Sequence, residues 1–259
     1  MIQETIFCNR KLPFGKDELQ KKIEKQPDSG HDGIRMLFLP ARMTRENVDD
    51  FCYIYRQIID TQYEVAVIVE PDTYQDPRKI PILPGADVRT DFGSLTVNES
   101  LRDDFCDEED DFFIRDDDAY GHLGFFDHVS MLQLVQDNCQ VLGMQLLDES
   151  PPVVQEMTFV LKEIMPFKNA LIVFCCELGR DRNQDFETIK TLVMQENDTR
   201  LLNLIYGGES GISGAGIFLA GLMTARHRER KLQFYADAGC KQPDNLLSAY
   251  ACFPVQDGS

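Results

Sequence analysis

NALIVFCCELGR, residues 169–180, decides how the rest of this 259-residue chain is read. Ala170 to Phe174 is short, wholly apolar and rich in β-branched side chains, the pattern of a strand buried on both faces inside a parallel or mixed sheet. Polar residues begin where that strand would end. In open α/β sheets the carboxyl ends of the strands border the ligand crevice, so Cys175, Cys176, Glu177 and Arg180 become candidate cleft residues. The plainer alternative makes the two cysteines small apolar filler and Gly179 a simple turn.

Similar runs lie to either side. Ile34–Leu39 (IRMLFL) reads as a strand stopping at Pro40-Ala41-Arg42, and Glu64–Val69 (EVAVIV) as one closed by Glu70-Pro71-Asp72-Thr73. Between them, Asn47–Ile59 sets Phe51, Cys52, Ile54, Tyr55 and Ile58 at helical spacing on one side. Strand, polar loop and helix repeated in this order predict βα units, with the loops gathered on one sheet edge. Further helices are expected over 16–25, 97–105, 126–134, 153–164, 186–196, 199–205 and 217–225. Further strands are expected over 140–146, 232–236 and 247–255. Ser150 before Pro151-Pro152 reads as an N-cap with prolines in the first turn. Residues 1–33 form a lead-in, extended at first, and 74–97 reads as a loop-rich wrap. No repeat or low-complexity linker divides the chain, so the expectation is a single α/β domain with a mixed, mostly parallel sheet flanked by helices.

Composition narrows the function classes. There are 44 acidic against 26 basic side chains, and a formal net charge of -18 repels nucleic-acid backbones and anionic membranes, excluding both as expected partners. The eight cysteines fall mostly within apolar runs and form no C-x-x-C pair, which points to a reducing compartment and a cytoplasmic protein. No charged-then-apolar signal layout opens the sequence and no apolar run reaches the ~20 residues of a membrane span. Ten acids crowd 103–118, but without the glycine and spaced ligands of a calcium loop they read as a solvated acidic loop.

Three other features bear on chemistry. The glycine-rich turn 207–216 (GGESGISGAG) runs into an apolar helix, where free N–H groups could cradle an anion; no Gly-Lys-Ser/Thr follows, so packing is the plainer role. Ser213 within it is a candidate cap or nucleophile. His128 beside Asp127 is a candidate base with a tuning acid, yet helix neighbours do not face each other, and a structural hydrogen-bonding role competes.

Four stretches in order carry a resemblance: DVRTDFGSLTVN (87–98), Asp127-His128, VFCCEL (173–178), and the tail from the glycine-rich turn through SAYACFPV (248–255). Together they resemble the Memo family, also called AmmeMemoRadiSam system protein B, from about Ile34 to Val255. That resemblance implies the fold of the class III extradiol ring-cleaving dioxygenases and a metal centre at the carboxyl edge. The family's metal-binding positions nevertheless fall here on Ala41, Thr73 and Ser213, and the base histidine of the dioxygenase relatives falls near Arg180. Methyl, hydroxyl and guanidinium groups do not hold a borderline divalent metal against water, so no metal and no cofactor are expected.

Two functions follow. The first is a non-catalytic binding protein whose cleft, lined by Ala41, Arg42, Asp72, Thr73, Cys175, Glu177, Arg180 and Ser213, takes a small polar ligand or a protein partner. The second is an enzyme with rebuilt chemistry, using Cys175 or Cys176 as a thiolate favoured by Arg180, or Asp72 and Glu177 as acid and base.

Overall fold

The computed structural model describes residues 5–8, 11–71, 80–106, 112–115, 124–164, 169–239 and 241–254. In chain order the strands are β1 (Thr5–Phe7), β2 (Met36–Leu39), β3 (Val65–Pro71), β4 (Ile80–Ile82), β5 (Asp87–Thr90), β6 (Gly93–Thr96), β7 (Phe113–Arg115), β8 (Gln140–Leu146), β9 (Ala170–Cys175), β10 (Lys231–Phe234) and β11 (Ala249–Cys252). The helices are α1 (Lys16–Glu24), α2 (Val48–Arg56), α3 (Glu99–Cys106), α4 (Phe125–Val135), α5 (Pro151–Ile164), α6 (Asn183–Met194), α7 (Asp198–Tyr206) and α8 (Ala215–His227).

The main sheet runs β10-β11-β2-β9-β3-β8-β4-β7, with β2, β9, β3 and β8 parallel at its centre. The chain is therefore one mixed α/β domain with a mostly parallel sheet flanked by helices. Every residue of β9 is buried, as its unbroken apolar run requires of a strand covered on both faces. Helices α2 and α4 cover one face, while α8, backed by α5, covers the other. Nearly all of α8 is buried, and Gly221 lets it close on the sheet: a Cβ there would sit 2.8 Å from Phe38 Cζ and 2.9 Å from Phe174 Cδ2.

Several expectations need correction. The 74–97 wrap contains β4, β5 and β6; β4 joins the main sheet, while β5 and β6 form a hairpin beside β1, so part of the lead-in is also paired. Within the acidic 103–118 segment, the first residues close α3 and Phe113–Arg115 pairs parallel with β4; 107–111 and 116–118 lie outside the described residues. The Ser150 hydroxyl donates to Asp148 Oδ2 (2.9 Å) rather than capping α5. Among the described residues no helix is long and apolar enough to cross a membrane.

Candidate functional site

The carboxyl ends of β2, β9, β3 and β8 form one edge, and strand register decides which side chains share it. Leu39 pairs with Cys175, Val69 with Phe174, and Glu70 with Gln145. Because side chains alternate across a strand, Leu39, Cys175, Glu70 and Gln145 form a row on the face covered by α2 and α4. All four are buried.

Helix α4 locks onto this row through its first turn. Phe125 N donates to Glu70 Oε2 (3.0 Å), and Met43 N donates to Asp127 Oδ2 (2.7 Å). His128 makes two hydrogen bonds that determine its tautomer. The Pro40 carbonyl, 3.0 Å from Nε2, can only accept, so Nε2 carries the proton; Nδ1 then accepts from the Tyr55 hydroxyl (2.9 Å). Cys175 Sγ lies 3.4 Å from Nε2. Burial pushes His128 from its ordinary 6.5 down to about 4, against the opposing pull of the Pro40 bond, so the imidazole is neutral at physiological pH. Asp127 and His128, facing different partners, jointly clamp the loop after β2. Gly124 lies directly against the Ala41 carbonyl and leaves that loop no room to move inward.

The cysteines are not activated. Burial, with the negative charges of Glu70 and Asp127, pushes the Cys175 thiol well up; burial, with Glu149 and Glu177, does the same for Cys176. Arg180 turns away from both thiols, pairing with Asp244 and approaching the carbonyls of Pro243 and Gln242 at 3.4 Å. Glu177 and Ser213 exchange backbone hydrogen bonds (2.9 Å each) and both are exposed. Ala41 is half-buried and Arg42 exposed. Asp72 and Thr73 lie outside the described residues, as do His122 and Cys240.

The glycine-rich turn already holds an anion of the chain's own. Glu149 Oε2 accepts from Gly216 N (3.0 Å) in the first turn of α8, where the helix dipole favours negative charge. Replacing Glu149 by glutamine is expected to cost about 1 kcal/mol in chemical denaturation, the usual size of a charge-assisted cap.

Sequence reasoning missed Tyr55, Glu70, Gln145 and a hub at Asp50. Asp50 Oδ2 accepts from Asn245 N (2.8 Å) and Ser248 Oγ (2.9 Å), while Oδ1 accepts from Asp244 N (3.2 Å). Asn245 in turn accepts from Leu178 N (2.8 Å) and donates to the Cys176 carbonyl (3.1 Å), stitching α2 and the tail to the loop after β9. Burial raises the Asp50 carboxyl from 3.8 to about 6, outweighing these hydrogen bonds. A polar side chain inside an apolar strand was the available signal for Glu70 and Gln145.

The donor set does not fit the metal that the family resemblance implies. Ala41 presents a methyl group, both thiols are held protonated, and both His128 nitrogens are engaged. Among the described residues no three His, Cys, Asp or Glu side chains converge as ligands.

Known protein families and curated proteins yield no match to this chain. Among solved structures, it is similar to the crystal structure of an uncharacterised protein from Escherichia coli K12, with a TM-score of 0.59 and 11% identity over 86% of this chain and 100% of that one. At that identity the likeness shows a shared α/β fold.

Proposed function

We propose that this chain is a divergent Memo-like protein that binds a small polar molecule at the carboxyl edge of its sheet without transforming it. The observation that carries this reading is Gln145. Its amide is fully buried, beside Glu70, and neither its nitrogen nor its oxygen has a hydrogen-bond partner among the described residues. Leaving such a group unsatisfied costs about 1–3 kcal/mol, a cost that a ligand offering both a donor and an acceptor would remove. Protonated thiols and a neutral, doubly bonded histidine support binding over nucleophilic or acid–base chemistry. Free thiols at Cys139, Cys175, Cys176 and Cys252, all buried, suit a reducing compartment, and we place the protein in the cytoplasm on that ground.

The test is Gln145→Leu, which keeps the volume and removes the amide. Unliganded, the variant is expected to be more stable by about 1–2 kcal/mol, because an unsatisfied buried group has been replaced by an apolar one. In a thermal-shift screen of amides, polyols and sugars, compounds that raise the midpoint of the native chain should leave the variant unmoved. A destabilised variant would show that the amide serves the fold, and the binding reading would lose its support.

A further inference from the structure

At the β10 end of the sheet lies a cavity of about 290 Å³. That volume sits at the small end of the range for ligand pockets, roughly 300–1,000 Å³. Strand register sets its floor. Gln233 of β10 pairs with Tyr250 of β11, and Tyr250 with Leu37 of β2, so these three side chains share one face. Leu37 stands two residues before Leu39, on the face covered by α2, and α2 contributes Tyr53 to the cavity wall. The loop entering β2 contributes Ser29 and His31.

Two polar groups on this wall are left for a ligand. The half-buried Gln233 amide makes no side-chain hydrogen bond among the described residues. His31, also half-buried, has Nδ1 2.8 Å from the Tyr250 hydroxyl, while its Nε2 has no partner among those residues. The surrounding rings are fixed. Tyr53 stacks on Tyr235 of the turn after β10, with ring centres 4.1 Å apart and planes 16° from parallel, and the Tyr250 ring lies 5.7 Å from that of His31. The wall is thus organised before any ligand arrives.

The charges around the cavity decide the class of ligand. Asp28 and Asp237, both exposed, line it, but Asp28 Oδ2 faces Arg56 at 3.5 Å and Asp237 pairs with Lys190. Among the described residues no lysine or arginine lines it. An anion would find no cation on the wall, and a cation would meet carboxylates that are already paired. A neutral ligand suffers neither disadvantage. Hydroxyl groups both donate and accept, so they match an amide, a carboxylate oxygen and an imidazole nitrogen in either tautomer.

We propose that this cavity is a carbohydrate site that takes a neutral, single-ring sugar. The sugar hydroxyls bond to the Gln233 amide and to His31 Nε2, and its C–H surface lies against Pro27, Phe234 and Ala238, which also border the cavity. The site is separate from the one at Gln145. Between β10 and β8 stand β11, β2, β9 and β3, which puts the two glutamine-bearing strands about 24 Å apart at ~4.8 Å per strand spacing.

Isothermal titration of the native chain with D-glucose, D-galactose and D-mannose, and with benzylamine and benzoate as charged comparisons, tests the site. At least one sugar is expected to bind with a millimolar dissociation constant, tighter than either charged probe. Gln233→Leu is expected to weaken that binding about tenfold, the size of one lost hydrogen bond, and to leave the thermal midpoint unchanged because the amide bonds nothing in the unliganded chain. His31→Phe keeps a ring and removes both nitrogens, and is expected to weaken binding by a similar factor. Gln145→Leu should bind the sugar as the native chain does. Absence of millimolar binding by every sugar, a charged probe that binds more tightly than all of them, or full affinity in both Gln233→Leu and His31→Phe would each overturn the proposal. Loss of binding in Gln145→Leu alone would assign the sugar to the carboxyl edge and overturn it equally.

Discussion

A methyl group added at Gly214 is expected to cost about 3 kcal/mol, a fall of about 9 °C in the thermal midpoint. Gly214 caps α8 in the left-handed region, at φ 72° and ψ 39°, which a side chain disfavours by about 1–2 kcal/mol. Its position adds a second cost. A Cβ there would sit 2.6 Å from the Cys175 carbonyl oxygen and 3.3 Å from Cys176 Cα. Those are backbone atoms, and Cys176 N is already pinned to the Leu39 carbonyl at 2.9 Å, so the end of β9 has little freedom to retreat. Gly208 provides the control, since its φ is 75° but nothing lies within 4 Å of its Cβ position. Gly208→Ala should therefore show only the backbone cost, about 1 kcal/mol. Equal losses in the two variants, measured by urea denaturation, would refute the close approach of α8 to β9.

The second large effect is a cancellation that mutation should expose. His128 has its folded-state value depressed from 6.5 to about 4, so between those pH values the unfolded chain binds the proton and the folded chain does not. Its contribution is fully present above pH 6.5 and is lost as pH falls toward 4, amounting to about 3 kcal/mol. Asp50 acts in the opposite sense. Its folded-state value is raised from 3.8 to about 6, so in that window the folded chain binds the extra proton, and stability rises by about 3 kcal/mol as pH falls from 6 toward 3.8. In the native protein the two terms nearly offset. Asp50→Asn removes the gain on acidification, so its stability relative to the native chain should drop by about 3 kcal/mol between pH 6.5 and 4. His128→Gln should show the reverse, gaining about 3 kcal/mol relative to the native chain over the same interval. Denaturation midpoints of both variants that track the native protein at every pH would show that neither group is perturbed by its burial.

Both effects rest on side chains with different legibility in the sequence. The apolar strand at Ala170 was plain, because burial on both faces leaves a composition visible within six residues. Helix α2 was equally plain from its spacing. Strand β4 was not: it has three residues with Pro81 in the middle, and the bordering β8 pairs with it only at Ile82 and Met144. So short a strand has no period to detect, and a proline within it argues for a loop.

The site divided in the same way. Cys175 and His128 were each candidates, but their 3.4 Å approach spans 47 positions and depends on α4 docking over β9. Arg180 follows the same strand and was grouped with the cleft, yet the turn at Gly179 directs it to Asp244. Choice of an ion-pair partner from among 44 acids is a matter of distance in space, and sequence neighbours do not report it.

The sequence by itself determined the class of fold, the central strands and the helices that cover them, because these depend on local composition and periodicity. It also determined the strongly acidic character of the chain, with 44 acidic against 26 basic side chains. Only the tertiary structure decided that Leu39, Cys175, Glu70 and Gln145 form one row and that Glu149 fills the glycine-rich turn. Register between strands and the docking of helices bring those groups together, and both are set by packing across the whole core rather than by any stretch of chain.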